Sequence, residues 1–137
     1  MHDLNFLVIE DHAFQRAMLE QMLRGLGAER VSSAANGKEA MRLLRDARFD
    51  IVITDLMMPE VDGIELIPVL GKTAHQVGLV LASVDPASLE VAAAIAAARG
   101  LRVLGTIEKP VTPDKLRPLL EKYAPGSVAA VPGSRPR

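Results

Sequence analysis

Five side chains in this 137-residue sequence have the types and the spacing to do chemistry together: Glu10, Asp11, Asp55, Ser83 and Lys109. Each stands at or just after the end of a short apolar run, where a buried strand would give way to polar chemistry. If those strands run parallel, all of these ends fall along one edge of a sheet, where open parallel sheets bind their ligands. Three carboxylates gathered there would raise one another's pKa and oppose folding unless a cation joined them. An all-oxygen donor set suits Mg²⁺ better than a softer metal, which would want His or Cys. His2, His12 and His75 are too scattered for such a site, and there is no cysteine. A carboxylate beside a hard cation can act as nucleophile toward a phosphoryl group. Lys109 and Ser83 would then supply positive charge and a hydrogen bond to the transferring oxygens.

The elements that must carry these residues can be read in order. Leu4 to Ile9 predicts a first strand, and Phe14, Ala17, Met18, Gln21 and Met22 at three-and-four spacing predict a helix that exits at Gly25 and Gly27. Val31 to Ala34 predicts a second strand. Asn36 is a candidate N-cap for a helix carrying Glu39, Ala40, Leu43, Leu44 and Ala47. Asp50 to Asp55 predicts a third strand, and Pro59 and Gly63 break the chain before a helix over 64–72. Val77 to Ala82 and Arg102 to Ile107 predict the fourth and fifth strands. Between them an Ala-rich helix runs from Pro86 to Arg99, closed by Gly100, and Thr112-Pro113 opens a last helix to Tyr123. Five strands alternating with five helices predict one α/β domain, a parallel sheet covered on both faces. We expect residues 1–124 to form it, and 125–137, rich in Pro, Gly, Ser, Ala and Arg, to form a flexible tail or the start of a linker.

Composition narrows the function. Aromatic residues make up only 3% of the chain against 49% hydrophobic, so the core must be aliphatic. The formal net charge is −1, and without Arg135 and Arg137 the stretch 1–124 holds 14 basic and 17 acidic residues, or −3. No Lys/Arg cluster offers a face to a polyanion, which argues against direct nucleic-acid binding. The absence of cysteine excludes disulfides and thiolate metal sites and suits a cytoplasmic protein. No segment reads as a signal peptide or a membrane span.

Taken in order, these motifs resemble the receiver domain of bacterial two-component response regulators over roughly residues 4–123. Glu10-Asp11 ends the first strand, and Asp55-Leu56-Met57-Met58-Pro59-Glu60-Val61-Asp62-Gly63 follows the third. Ser83 ends the fourth and Lys109-Pro110 follows the fifth. The resemblance implies a flavodoxin-like sheet in the order 2-1-3-4-5 with helices on both faces. It implies that Asp55 is the phosphorylation site, with Mg²⁺ held by Asp11, Asp55 and the backbone carbonyl of Met57 and by Glu10 through water. Ser83 would bond the phosphoryl group, Lys109 would form a salt bridge to it, and the Lys109-Pro110 bond would be cis. The implied partners are a sensor histidine kinase and an output domain or downstream protein, with a homodimer as a possible assembly. The domain would catalyse only its own phosphotransfer and dephosphorylation and would not be an enzyme in the usual sense.

The resemblance has departures. Thr106 stands where the family usually has an aromatic switch residue, and Val84 is bulkier than the small residue common after the hydroxyl. Met57 and Asp85 fall where the family adjusts the lifetime of the phosphorylated state. The long stretch between Ser83 and Lys109, with Gly100-Leu101-Arg102-Val103-Leu104-Gly105 approaching the site, is similar to receivers joined to cyclic-di-GMP phosphodiesterase domains. Three other readings compete. A haloacid-dehalogenase-type enzyme would need a second Asp where Met57 stands, and a flavodoxin-like cofactor binder would find its phosphate repelled by Glu10 and Asp11. The third is a receiver-like scaffold that binds partners without being phosphorylated.

Overall fold

The computed structural model of the chain describes residues 1–56, Leu70 and residues 77–123. Five strands form one sheet: β1 (Asn5–Ile9), β2 (Arg30–Ala34), β3 (Ile51–Asp55), β4 (Gly78–Ser83) and β5 (Arg102–Glu108). Every neighbouring pair is parallel and the order is β2-β1-β3-β4-β5, as expected. Four helices are seen among the described residues: α1 (Ala13–Gly25), α2 (Gly37–Asp46), α3 (Pro86–Ala98) and α4 (Pro113–Tyr123). The expected helix over 64–72, apart from Leu70, and the expected tail 125–137 lie outside the described residues.

The sheet divides the core by simple alternation, because successive strand side chains point to opposite faces. Leu7, Ile9, Val52, Leu79 and Leu81 pack on one side with Ala40 of α2 and Leu89, Ala92 and Ala96 of α3. Phe6, Val8, Ile51, Ile53 and Val80 pack on the other with Leu19 and Leu23 of α1 and Leu116 and Leu120 of α4. Covering both faces is what allows β3 and β4 to be buried along their whole length.

Local chemistry sets the helix ends. Asn36 Oδ1 accepts from the Glu39 backbone N–H at 2.8 Å, the N-cap anticipated above. Gly27 and Gly100, just beyond α1 and α3, take φ values of 108° and 80°, which L residues rarely adopt. The helix predicted from Phe14, Ala17, Met18, Gln21 and Met22 is present as α1: Phe14, Ala17, Met18 and Gln21 face outward, with Phe14 68% exposed, Met22 packs partly buried against the core, and the residues α1 buries are Leu19 and Leu23. Both stripes have helical spacing; the one with two leucines removes more apolar surface from water when the helix lies on the sheet.

The β4–β5 ladder contains one irregularity. Leu79 pairs with Val103, but the next residue, Val80, pairs with Gly105, so Leu104 is an additional residue in β5. Gly105 occupies the bulge, where a Cβ would run into the Leu119 side chain of α4.

Candidate functional site

The register brings the predicted residues to one edge of the sheet. Glu10 follows β1 directly, its backbone N–H donating to Ala34 O of β2 at 3.1 Å. Asp55 closes β3 opposite Ala82 of β4, and Ser83 is one residue further along. Lys109 follows β5, its backbone N–H donating to Ser83 O at 2.9 Å. The Lys109-Pro110 peptide is cis, as the motif implied.

Within this frame Lys109 is the hub. Its ammonium lies 2.7 Å from Glu10 Oε1 and 3.1 Å from Asp55 Oδ2. It also donates to Gln15 Oε1 at 3.0 Å. Glu10, Asp55 and Ser83 are buried, while Asp11 is exposed. Carboxylate oxygens of Glu10, Asp11 and Asp55 lie within 4.8 Å of one another, close enough for one metal ion to take an oxygen from each. The donor set is all oxygen, which fits a hard cation. Met57, whose carbonyl was the fourth expected ligand, lies outside the described residues.

Glu10 is fixed from two further directions. Its Oε2 accepts from the His12 backbone N–H at 3.1 Å, and its carbonyl accepts from Arg16 Nη1 at 3.0 Å. His12, not Asp11, caps α1, its Nδ1 accepting from Gln15 N–H at 3.4 Å. That frees the Asp11 carboxylate from the bland role its position at a strand-helix junction would suggest. Ser83 Oγ accepts from the Asp85 N–H at 3.1 Å, which leaves the hydroxyl hydrogen to donate elsewhere. Asp85 itself caps α3, its Oδ1 accepting from Ala87 N–H at 3.1 Å.

Beside the carboxylates a cavity of about 320 Å³ opens between α1 and the segment after β5. Asp55, Lys109 and Glu10 form its polar part, Met18 and Ile53 belong to its apolar wall, and Val84 stands at its mouth, 69% exposed. Thr106 is exposed on β5.

Burial pushes the Glu10 carboxyl above its ordinary value, by more than the Lys109 and His12 hydrogen bonds pull it down. The nearby Asp55 charge adds to the rise but is a smaller cause than burial. Mutual repulsion was the expected reason, so desolvation takes first place here. For Lys109 burial alone pushes downward. The hydrogen bonds and the negative charges of Glu10 and Asp55 together outweigh it, the Glu10 hydrogen bond most, and hold the ammonium above its ordinary value.

A carboxyl with a raised folded-state pKa favours folding when protonated. Its contribution is complete below the unfolded-state pKa and is lost as pH rises through the folded one. In EDTA, the urea midpoint is therefore expected to fall as pH climbs through the range just above that of an ordinary glutamate, and Glu10→Gln is expected to flatten that segment. An unchanged profile in the variant would place the titration elsewhere.

Gln15 and Arg16 were not singled out by the sequence. Their signal is positional: both stand in the first turn of α1, directly beyond the Glu10-Asp11 pair, where side chains reach back over the strand end.

Comparison with known proteins agrees with this geometry. The response regulator receiver domain family matches residues 6–121. The cyclic di-GMP phosphodiesterase RocR of Pseudomonas aeruginosa is 33% identical over 125 residues, covering 90% of this chain and 32% of its own length. The chain thus spans about a third of that relative. The chemotaxis protein CheY of Thermotoga maritima is 31% identical over 118 residues, 86% of this chain and 95% of that protein. Among solved structures, the response regulatory domain of mrkE from Klebsiella pneumoniae superposes with a TM-score of 0.77 at 19% identity, covering 90% of this chain and 98% of that one.

Proposed function

The chain belongs to the response regulator receiver domain family, and from that premise we propose that Asp55 takes a phosphoryl group from a sensor histidine kinase with Mg²⁺ held beside it. A receiver is a phospho-acceptor rather than an enzyme that turns over a separate substrate. The observation that carries the reading is the convergence on Asp55: two further carboxylates within 4.8 Å and one ammonium at 3.1 Å, at the C-terminal edge of a parallel sheet.

Asp11 and Asp55 would hold the ion with the Met57 carbonyl, and Glu10 would contribute through water. When bound, Mg²⁺ supplies charge neutralisation for the phosphoryl oxygens. The chain's own groups do the rest. An Asp55 carboxylate oxygen attacks phosphorus, the phosphorus–nitrogen bond of the donor phosphohistidine breaks, and its electron pair returns to the imidazole ring. Lys109, already on Asp55 Oδ2, keeps the carboxylate oriented beforehand and follows the new charge onto a phosphoryl oxygen. Ser83 donates its free hydroxyl hydrogen to another oxygen.

The signal leaves through conformation. An anion on Asp55 gives Lys109 and Ser83 a new partner and biases the packing of β5 and α3, to be read by an output domain or a downstream protein. Likeness to the RocR phosphodiesterase supports cyclic-di-GMP turnover as a regulated output. We assign residues 1–124 to the receiver and 125–137 to a tail or linker. Among the described residues no helix is long and apolar enough to cross a membrane, and membership of the receiver family supports a cytoplasmic placement. The second reading, an unphosphorylated binding scaffold, draws on exposed Thr106 in place of an aromatic switch.

Incubation with acetyl phosphate and Mg²⁺, followed by intact-mass measurement, separates the two. A single phosphoryl-sized gain that disappears in EDTA is expected. If no adduct forms, and beryllofluoride with Mg²⁺ also leaves thermal stability unchanged, the scaffold reading replaces this one.

A further inference from the structure

The Lys109 ammonium that bridges Glu10 and Asp55 extends from a backbone that one exposed side chain grips on both sides. Lys115 Nζ donates to Glu108 O at 2.9 Å and to Pro110 O at 3.0 Å, the carbonyls of the residues immediately before and after Lys109. Lys115 stands in the first turn of α4, with its backbone N–H donating to Thr112 O at 3.1 Å and Thr112 Oγ1 at 3.3 Å. The N-terminal end of a helix repels a cation, so a lysine there acts against the helix dipole. Two carbonyls on one ammonium offset that cost, because hydrogen bonds from a charged donor are the stronger kind. With the Lys109 N–H bonded to Ser83 O at 2.9 Å, the backbone around Lys109 is pinned at three consecutive residues.

We propose that Lys115 is a positioning residue for phosphoryl transfer, clamping the Glu108–Pro110 segment so that the Lys109 ammonium stays on Asp55 and follows its charge. Lys115 makes no hydrogen bond to the acidic side chains and acts through Lys109; the inference therefore rests on the role of Lys109 proposed above. A solvated lysine that merely lies near two carbonyls would leave the rate alone.

The test compares Mg²⁺-dependent phosphorylation by acetyl phosphate, followed by intact mass over time, in Lys115→Met, Lys109→Met and the double variant, with melting temperatures throughout. Lys122→Met is the control, since it removes a similar ammonium from another β5 carbonyl, Leu104 O at 3.1 Å, away from the acidic residues. Lys115→Met is expected to slow transfer roughly three- to tenfold, the loss of one to two net hydrogen bonds, while melting like the control. In the Lys109→Met background it is expected to add nothing, since a clamp with nothing to position has no effect. A wild-type rate in Lys115→Met beside a slow Lys109→Met overturns the clamp and leaves the role of Lys109 standing. Equal slowing by Lys115→Met in both backgrounds also overturns it. A wild-type rate in Lys109→Met removes the proposed role of Lys109, and the clamp with it.

Discussion

Asp55→Asn is expected to form no phosphoryl adduct in any combination of Mg²⁺ and acetyl phosphate. The amide is nearly the same size and shape as the carboxylate but offers no anionic oxygen to attack phosphorus, so the loss is of the nucleophile itself and not of a helper. It also leaves two carboxylates where three lay within 4.8 Å, which weakens any hold on a divalent cation. The fold should survive. Lys109 keeps Glu10 at 2.7 Å and Gln15 at 3.0 Å, so its ammonium is not stranded by the change. Intact mass, with circular dichroism as the folding check, reads the result. An adduct on a folded Asp55→Asn protein would mean that another group is the acceptor, and the site would have to be assigned afresh.

Phe6→Ala is expected to cause the largest loss of stability of any change considered. Phe6 is fully buried in β1, between Val31 of β2 and Ile51 of β3, on the face covered by α1 and α4. Truncating a buried phenylalanine typically costs about 3–5 kcal/mol, against roughly 5–15 kcal/mol for a whole domain. Urea denaturation measures the effect, and Phe6→Leu, which keeps most of the volume, should lose less than half as much. A loss below about 1 kcal/mol for the alanine variant would show that this face collapses around the gap, contrary to the tight packing of protein interiors.

The sheet and most of the site were legible because their signals are short-range and repeated. β1, β3 and β4 are β-rich apolar runs, and Glu10, Asp55 and Ser83 stand at their polar ends. Parallel alternation then dictates that the ends meet, so Glu10, Asp11, Asp55 and Lys109 could be grouped from sequence. What could not be read depends on choices made in three dimensions. α1 offers two stripes of helical spacing, and only docking against Phe6 and Val8 selects Leu19 and Leu23 over Phe14 and Met18. The reach of Gln15 to Lys109 spans 94 residues and has no local signature. Asp11 and His12 are both able to cap a helix, and the backbone path decides for His12.

The additional residue in β5 changes what the strand presents. In an unbroken strand, side chains two apart share a face, so Leu104 turned toward α4 would bring Thr106 with it and send Ile107 to the opposite face. The bulge resets the phase. Gly105 pairs with Val80 on the α4 side, Ile107 joins Leu104 in the core there, and Thr106 is turned to the other side of the sheet. The strand enters with one parity and leaves with the other, and Lys109 departs in the second. Gly105, which looks in sequence like a weak point in a strand, therefore works as a phase shifter between the half of β5 that anchors and the half that aims.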